Sequence, residues 1–431
     1  MARGLSALAK RASWNVIDQG MSALANMLLM VVVARAVNDE GAFGAFAIAF
    51  VVYGVGVAVA KAMVGQPLQM KYSDTTGEDF RRAVRNSQGT AALIGILGGL
   101  TSAGAGLAIG GSVGAALIAL APCLPALLMQ DSCRMAFFAN GRADYAALID
   151  FVRMVLQFAF LFLAIFAGYQ NVGILTLTWG VAGAISAGVG LYLLRAAPRM
   201  RGAMVWVREQ RELNGYLMAE YLLGLGAAQF GILLVAPLAS EADVGALRAA
   251  QTVLGPLNIL GTAAFAFAIP ELARRSHLGF KARMQAMVAV SGFMGIISTV
   301  WVVGLLLLPD AVGDALFRAS WRGAQEVLLP MGLNSIASCL GVGAAVSLYG
   351  MALANKTFRL NMFRAPILLG LMVWGTLEAG ATGAAWALAC VETLFLPFWA
   401  ITAVRSSREH AERMAARKPE DDLIDESVDP T

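Results

Sequence analysis

Long apolar stretches separated by short polar ones run along the whole chain of 431 residues. Each apolar stretch holds about 20 residues, and a helix of that length crosses a hydrocarbon core of about 30 Å. The stretches lack the residue-by-residue alternation that is typical of membrane β-barrel strands. They predict twelve helical spans, at residues 14–34, 43–64, 89–109, 113–138, 146–168, 172–194, 215–238, 245–269, 284–308, 325–349, 359–379 and 381–404.

Composition agrees with a chain that lies almost wholly in a membrane. Hydrophobic residues make up 58% of it and charged residues 14%, with a mean hydropathy of +0.69. A soluble domain carries about a quarter charged residues, because it must cover its surface with them. The 46 glycines suit close packing of helices in lipid. The sequence therefore predicts an all-α integral membrane protein.

Candidate ligands for a metal or a cofactor are few. The four cysteines show no CxxC spacing; they are Cys123, Cys133, Cys339 and Cys390. The two histidines, His277 and His410, lie in polar segments. Structural metal sites need clustered thiols or imidazoles. We expect no metal site and no cofactor, and we interpret the cysteines as small apolar side chains.

The distribution of positive charge predicts the orientation. If the N-terminus is cytoplasmic, 25 of the 32 lysines and arginines fall in segments on that side and four on the other. Positive residues favour cytoplasmic loops. We therefore predict that both termini are cytoplasmic and that the loop 309–324 faces outward. The stretch 14–34 is too long for the core of a signal peptide and is expected to remain as the first span.

Two junctions two hundred residues apart read alike. Residues 34–50 read ARAVNDEGAFGAFAIAF and residues 236–253 read APLASEADVGALRAAQTV. Both pass from alanine through a short acidic loop to Gly-Ala and then Phe or Leu. Six spans precede the basic stretch 195–213 and six follow it. Chance similarity between two loops rich in glycine and alanine is the alternative, but the symmetric span count favours a duplicated chain.

The duplication predicts two six-helix bundles related by a pseudo-twofold axis around a central cavity. The expected divisions are an N-terminal bundle (1–194), a cytoplasmic linker (195–214), a C-terminal bundle (215–404) and a cytoplasmic tail (405–431). The tail is rich in charge and has little apolar surface to bury, so we expect a short helix that passes into disorder.

Polar residues occupy one face of the first predicted span. Steps of three and four relate Asn15, Asp18, Gln19, Ser22 and Asn26. Polar groups inside a membrane are costly and are usually functional. We interpret this face as the lining of a cavity. Hydrogen bonding to a neighbouring helix, without solvent, is the alternative.

Cations lie in the related second and eighth spans. Lys61 is toward the inner end of the second span, and Arg248 is near the outer end of the eighth. Gln251 and Asn258 share a helix face with Arg248. We interpret these residues as cavity-lining groups that bind an anion. Both long cationic side chains could instead extend to the nearest membrane interface.

Acid–base pairs three residues apart occur in the fourth and fifth spans. They are Asp131 with Arg134 and Asp150 with Arg153. Residues three apart share a helix face and can neutralise each other in lipid. Structural pairing is therefore the favoured interpretation, and Arg153 is kept as a further candidate for binding an anion.

Isolated carboxylates also occur inside or beside the spans, at Glu220, Glu378 and Glu392. A lone carboxylate in lipid is more stable with a proton bound, so it could carry a proton. Glu220 lies in the span that corresponds to the one with Asp18. We hypothesise that Asp18 or Glu220 is an ion-coupling residue.

The beginning of the chain resembles a known family. The stretch SWNVIDQGMSALANMLLMVVVARAVNDEGAFGAFAIAF, followed by AKAMVGQPLQMKYSD, is similar to the start of bacterial polysaccharide (Wzx-type) flippases. These belong to the multidrug/oligosaccharidyl-lipid/polysaccharide (MOP) superfamily, which also holds the lipid II flippases and the MATE drug exporters. The motif covers the first 75 residues, and the topology extends the resemblance to the whole chain.

The resemblance implies a MATE-like fold in the bacterial inner membrane, with alternating access to a central cavity. Its cargo would be a polyprenyl-pyrophosphate-linked oligosaccharide that passes from the cytoplasmic to the outer leaflet. Lys61, Arg153 and Arg248 would hold the pyrophosphate, and the polar face of the first span would meet sugar hydroxyls. Membrane lipid and the polysaccharide polymerase or glycosyltransferase machinery would be its partners. Nucleic acid is not expected among them.

Two other functions fit the same composition. A MATE-like exporter of small molecules predicts an acidic cavity, whereas the charges here are mixed with a basic excess. A membrane enzyme that acts on lipid-linked sugars, such as a polymerase or ligase, needs a sizeable outer loop for its catalytic groups. The longest predicted outer loop is 309–324, so we expect a transporter and not an enzyme. The sequence contains no GxxxxGK[ST] motif for binding ATP.

Overall fold

The computed structural model describes residues 2–37, 39–73, 75–274, 279–318, 320–351 and 353–425. Some side chains within its helices lie outside the description: those of residues 2–17, 19, 212–213, 216, 225, 262–263, 265–274, 320, 354 and 413–425.

The described residues form sixteen α-helices and no strand. The first eight are α1 (Ala2–Ala36), α2 (Glu40–Ala60), α3 (Gln66–Tyr72), α4 (Gly77–Ile109), α5 (Gly111–Leu120), α6 (Leu124–Ala139), α7 (Ala143–Phe166) and α8 (Val172–Leu194). The others are α9 (Met200–Glu209), α10 (Arg211–Tyr221), α11 (Ala227–Leu238), α12 (Glu241–Arg274), α13 (Phe280–Leu306), α14 (Asp310–Phe317), α15 (Ser320–Gly350) and α16 (Ala354–Asp425). A π-helical turn, Lys61–Gly65, joins α2 to α3, and another, Leu222–Gly226, joins α10 to α11.

Each of the twelve predicted spans coincides with a helical segment. By length and hydropathy, seven helices of the described chain can cross a membrane, or nine if each of two bent pairs is one span. The bent pairs are α5 with α6, at 54°, and the π-helical junction of α10 and α11, at 52°. Within α16 the backbone breaks at Ala379 and Gly380, which separates the last two predicted spans. The prediction of an all-α membrane fold is confirmed.

The duplicated junction has the same local structure in both copies. Asp39 is the N-cap residue of α2, and its carboxylate accepts a hydrogen bond of 2.8 Å from the Ala42 N–H. Ser240 precedes α12, and its hydroxyl accepts a hydrogen bond of 3.1 Å from the Asp243 N–H. Side-chain oxygens at these positions satisfy N–H groups that have no partner inside the helix. The two related helices are therefore capped in the same way.

The two capped helices cross in close contact at related glycines. A Cβ atom at Gly44 of α2 would overlap the Glu241 carbonyl oxygen of α12, and one at Gly245 would lie 3.2 Å from the Gly44 nitrogen. Residues 43–51 of α2 are buried, whereas residues 54–59 are partly exposed. The tight contact between α2 and α12 therefore lies toward the side that the charge distribution assigns to the exterior.

The tail begins as a helix, because α16 continues from the last predicted span to Asp425. Its first turns are held against the end of α15 and the start of α16. Lys356 Nζ lies 2.9 Å from Ser406 Oγ and 3.0 Å from a Glu409 carboxylate oxygen. These contacts, with the buried Ser407, fix the point where the last span leaves the bundle.

The predicted orientation can be tested at two exposed alanines. In a Cys390→Ser background, Ala315→Cys on α14 should react with a membrane-impermeant maleimide added to intact cells. Ala197→Cys, next to α9, should react only after the cells are opened, because positive-rich segments remain cytoplasmic. The reverse labelling pattern would contradict the topology.

The glycine crossing predicts a difference between two substitutions on one helix. Gly44→Val should force α2 and α12 apart, because backbone of α12 occupies the space of the new side chain. Gly54→Val is the matched control, since nothing lies within 4 Å of a Cβ there. Maleimide labelling of Ala246→Cys, which is 7% exposed, should accelerate with Gly44→Val and not with Gly54→Val. Equal labelling rates would show that the crossing does not close this side.

Candidate functional site

A buried arginine joins three helices of the N-terminal half. Arg134 of α6 places Nη2 at 2.6 Å from Asp18 of α1 and Nη1 at 3.1 Å from Asp131. Its Nε lies 3.1 Å from Asp150 of α7. The arginine is 7% exposed, and the three carboxylates are at most 5% exposed. One guanidinium thus faces three carboxylates in an almost completely buried site.

Further cations and an amide extend this network. Lys61, the first residue of the π-helical turn, places Nζ 3.8 Å from Asp131. Gln130 donates to Asp150 at 2.7 Å and accepts from Arg153 Nη1 at 3.2 Å. The three aspartates and the three cations Lys61, Arg134 and Arg153 are therefore connected and balance in charge. Buried charges are tolerated in such paired and hydrogen-bonded arrangements.

The predicted pairing within α6 is observed, but the one within α7 is not. Asp150 pairs with Arg134, and Arg153 turns instead toward α2. Its Nη1 donates to the Tyr53 hydroxyl at 3.1 Å, whereas Nη2 is buried and finds no hydrogen-bond partner in the described part of the chain. Spacing along one helix could not reveal Arg134 as the shared partner, because Asp18 lies 116 residues away in sequence.

A narrow cleft between α1 and α7 lies beside Arg153. Ser22 and Asn26 of the polar face line it on one side, and Asp150 and Gln157 on the other. Gln157 also donates to the Ala25 carbonyl at 3.3 Å, which ties the two helices together. Ser22 and Asn26 of the polar face therefore line this cleft, and Asp18 of the same face pairs with Arg134. That the face lines a substrate cavity stays a prediction.

Arg248 lies where the two halves meet. Its guanidinium carbon is 4.7 Å from the centre of the Phe50 ring on α2, and Nη1 donates to Gln251 at 2.7 Å. In the described residues no carboxylate lies within 4 Å of it. Arg153 occupies the corresponding position over Tyr53, one turn along α2, at 5.5 Å. Two arginines, one from each half, thus flank adjacent aromatic rings.

The aromatic pair is held by a buried tryptophan. Trp179 of α8 lies 5.0 Å from Tyr53, edge to face, and 5.5 Å from Phe50 in a stacked arrangement. The Phe50 and Tyr53 rings are 5.9 Å apart. A cation–π interaction with a ring stabilises each arginine by about 0.5–2 kcal/mol and does not neutralise its charge. The arrangement presents positive charge on a rigid aromatic surface.

The C-terminal half has a smaller counterpart. Arg364 contacts Glu392 at 2.7 and 2.9 Å and donates to the Gly224 carbonyl in the second π-helical turn at 3.3 Å. Tyr349 donates to Glu220 at 3.1 Å. Glu392, interpreted from the sequence as an isolated carboxylate, is therefore paired, and Glu220 has a hydrogen-bond partner.

The role of Arg364 could have been found in the sequence. Residues 150–153 read DFVR and residues 361–364 read NMFR, and each arginine is the eleventh residue of its segment, α7 or α16. Arg364 is thus the repeat equivalent of Arg153. In the second copy asparagine replaces Asp150, which is one reason why the C-terminal network holds fewer charges.

The predicted site residues fall into three places. Asp18, Lys61, Arg153, Ser22 and Asn26 gather in the N-terminal half, as described above. Arg248 and Gln251 lie at the junction of α2 and α12, Asn258 is exposed further along α12, and Glu220 lies in the C-terminal half. The side chains of Asn15 and Gln19 lie outside the described residues. Their roles in binding or ion coupling stay predictions.

Comparisons with solved structures identify the fold. The lipid II flippase MurJ in an inward closed conformation matches 94% of this chain and 92% of its own at a TM-score of 0.67 and 14% identity. An inward-facing MATE multidrug transporter matches 93% and 99% at 0.66 and 13%, and an outward-facing one matches 95% and 96% at 0.58 and 14%. This is the MOP transporter fold. No protein-family model and no curated protein sequence matches the chain.

The charge network predicts that Arg134 is essential for stability. Arg134→Met leaves three buried carboxylates without their shared cation, and breaking a buried ion pair costs about 3–5 kcal/mol. Arg142→Ala is the control, because its pair with Asp144 is exposed and such pairs contribute about 0–1 kcal/mol. In detergent, Arg134→Met should have a clearly lower melting temperature than the wild type. Arg142→Ala should melt at the wild-type temperature. Equal melting temperatures would contradict the assignment.

Proposed function

We propose that this protein is a flippase of the bacterial polysaccharide (Wzx-type) kind. It moves a polyprenyl-pyrophosphate-linked oligosaccharide from the cytoplasmic to the outer leaflet of the inner membrane by alternating access. The observation that carries this proposal is the pair Arg153 and Arg248, which flank the Phe50 and Tyr53 rings at the junction of the two halves. The shared fold with a lipid-linked cargo flippase and with drug exporters supports a transporter of one of these two kinds.

The chemistry of the site fits the cargo. A pyrophosphate accepts several charge-assisted hydrogen bonds, and a guanidinium supplies them in a planar fork. Within the described residues, Arg248 has no carboxylate partner and one buried N–H group of Arg153 has no hydrogen-bond partner. Ser22, Asn26 and the amides around them can meet sugar hydroxyls. The polyprenyl chain needs no such site, because it can remain in the bilayer.

The contact of α2 with α12 would limit access to the site from the predicted outer side. Arg248 lies three residues after Gly245, one helical turn beyond the point where α2 and α12 touch. The partly exposed residues 54–59 of α2 also follow that contact in the sequence. These positions support entry of the cargo from the predicted cytoplasmic face.

A MATE-like exporter of small cations is the second candidate. The fold is equally close to an inward-facing MATE transporter, whose TM-score is 0.66. Cationic drugs, however, need carboxylates that are free to pair with them. Asp18, Asp131 and Asp150 are all engaged by Arg134, and at the junction of the two halves Arg248 has no carboxylate partner in the described residues. The charge of the site therefore favours an anionic cargo.

Arg248 provides the decisive test. The wild-type protein in proteoliposomes should move a labelled polyprenyl-pyrophosphate disaccharide to the leaflet where an impermeant glycosidase removes the sugar. Arg248→Ala should slow this by about 10-fold to 100-fold, since a hydrogen bond to a charged group contributes about 1.5–3 kcal/mol. Arg248→Lys should keep part of the rate, because the charge remains.

Arg322→Ala is the matched control, because Arg322 is exposed at the start of α15, on the predicted outer side. It should transport at the wild-type rate. Ethidium uptake, measured in the same vesicles, tests the alternative. Ethidium transport that is unaffected by Arg248→Ala, together with no movement of the lipid-linked sugar, would replace the flippase with an exporter.

A further inference from the structure

The linker between the two halves carries an unusual density of positive charge. Residues 195–214 contain five arginines and two acidic residues, Glu209 and Glu212, of which the Glu212 side chain lies outside the described residues; the arginines are Arg195, Arg199, Arg201, Arg208 and Arg211. All five are exposed, and we call them the linker arginines. Most of them lie on or beside α9, at the predicted cytoplasmic ends of the spans.

The linker arginines have no acidic partners within the described chain. None of them lies within 4 Å of a carboxylate there. Neighbouring arginines on the same side behave differently. Arg81 and Arg85 contact Glu78, and Arg82 contacts Asp79 at 3.1 Å. The linker arginines are therefore unpaired where these three neighbours on α4 are paired.

Apolar side chains lie between these charges on the exposed face of α9. Met204 is 67% exposed and Val205 is 47% exposed, and Arg201 and Arg208 flank them at helical spacing. A helix with apolar residues bordered by arginines lies in the headgroup region of a bilayer, with its apolar side toward the acyl chains.

The opposite face of α9 is fixed to the N-terminal half. A Cβ atom at Gly202 would overlap Asn86 of α4, and Trp206 is completely buried. The Trp206 indole N–H donates to the Met63 carbonyl at 2.9 Å, within the π-helical turn that begins at Lys61. The Trp206 ring also stacks on Tyr72 at 5.7 Å. The exposed face is thus presented on a support that is anchored to α4, to Tyr72 and to the π-helical turn that follows α2.

An open cleft adjoins the start of the linker. It has a volume of about 640 Å³ and is lined by Tyr145, Tyr192, Arg195 and the backbone of residues 196–198. Tyr192 is 81% exposed, and the Arg142 guanidinium lies 3.8 Å above the Tyr145 ring. Tyrosine and arginine next to leucine side chains are typical of the membrane interface, where a lipid phosphate meets its acyl chain.

We propose that α9 and this cleft form a binding site for an anionic phospholipid of the cytoplasmic leaflet. Arg195, Arg201 and Arg208 bind the headgroup phosphates, and Met204 and Val205 contact the acyl region. The charge complementarity favours an anionic over a zwitterionic lipid, because each basic residue near the surface adds attraction only to net negative lipids. The exposed apolar residues favour a lipid over free phosphate, which would gain nothing from them.

The site is tested with a fluorophore in place of Met204. In a Cys390→Ser background, Met204→Cys is labelled with an environment-sensitive dye, and the purified full chain is titrated in mixed micelles with phosphatidylglycerol or phosphatidylcholine. Phosphatidylglycerol should shift the emission to the blue at a lower mole fraction than phosphatidylcholine. Arg201→Gln with Arg208→Gln should raise the midpoint for phosphatidylglycerol by about five-fold for each arginine removed.

The matched control is Arg81→Gln with Arg82→Gln, which removes the same charge from paired positions and should leave the midpoint unchanged. Equal responses to the two lipids, or an unchanged midpoint in the α9 double variant, would overturn the proposal. Reversal of the shift by 10 mM inorganic phosphate would indicate a free-anion site instead. If the α9 double variant is not monodisperse, Arg208→Gln alone provides the comparison. No readout depends on transport, so failure of the proposed function would leave this test unaffected.

Discussion

The neutralisation of buried charge in lipid is the constraint on which the N-terminal half depends. Three aspartates from α1, α6 and α7 converge on Arg134, and none of them is more than 5% exposed. Loss of the shared cation would leave three buried carboxylates without their counter-ion. The shared pairing therefore holds α1, α6 and α7 in one arrangement. Lys61 and Gln130 extend the network to α2 and to Arg153, and the orientation of Arg153 toward Tyr53 follows from it.

Because the aspartates are already paired, the charge left for a cargo is positive. Arg248 reaches the same aromatic surface from the other half, without a carboxylate partner in the described residues. Folds shared between drug exporters and lipid flippases cannot by themselves separate a cationic from an anionic cargo. The distinction comes from which charges the protein itself neutralises. Here Asp18, Asp131 and Asp150 are paired internally, which supports the proposal of a pyrophosphate-linked cargo.

Helical spans and local pairs could be predicted from the sequence because both depend on residues close in the chain. Run length located the spans, and a spacing of three predicted the contact of Asp131 with Arg134. The contact of Asp18 with Arg134 could not be predicted, since it depends on how α1 packs against α6. A comparison of the starts of α7 and α16 would have identified Arg364 as the residue of the second repeat that corresponds to Arg153. The corresponding glycines of the repeat, Gly44 and Gly245, could be identified from the sequence. Their contact could not, because it depends on how α2 packs against α12.

That contact explains how the closed side can also open. Gly44 and Gly245 let two backbones meet, so the closure rests on packing between helices and not on a buried ion pair. Acidic groups surround it: a Cβ at Gly41 would lie 3.3 Å from Asp39 and 3.8 Å from Glu241. Both carboxylates thus lie near this contact, and repulsion between them would favour separation of the two helices. In the proposed flippase, the same two carboxylates would also disfavour return of an anionic cargo.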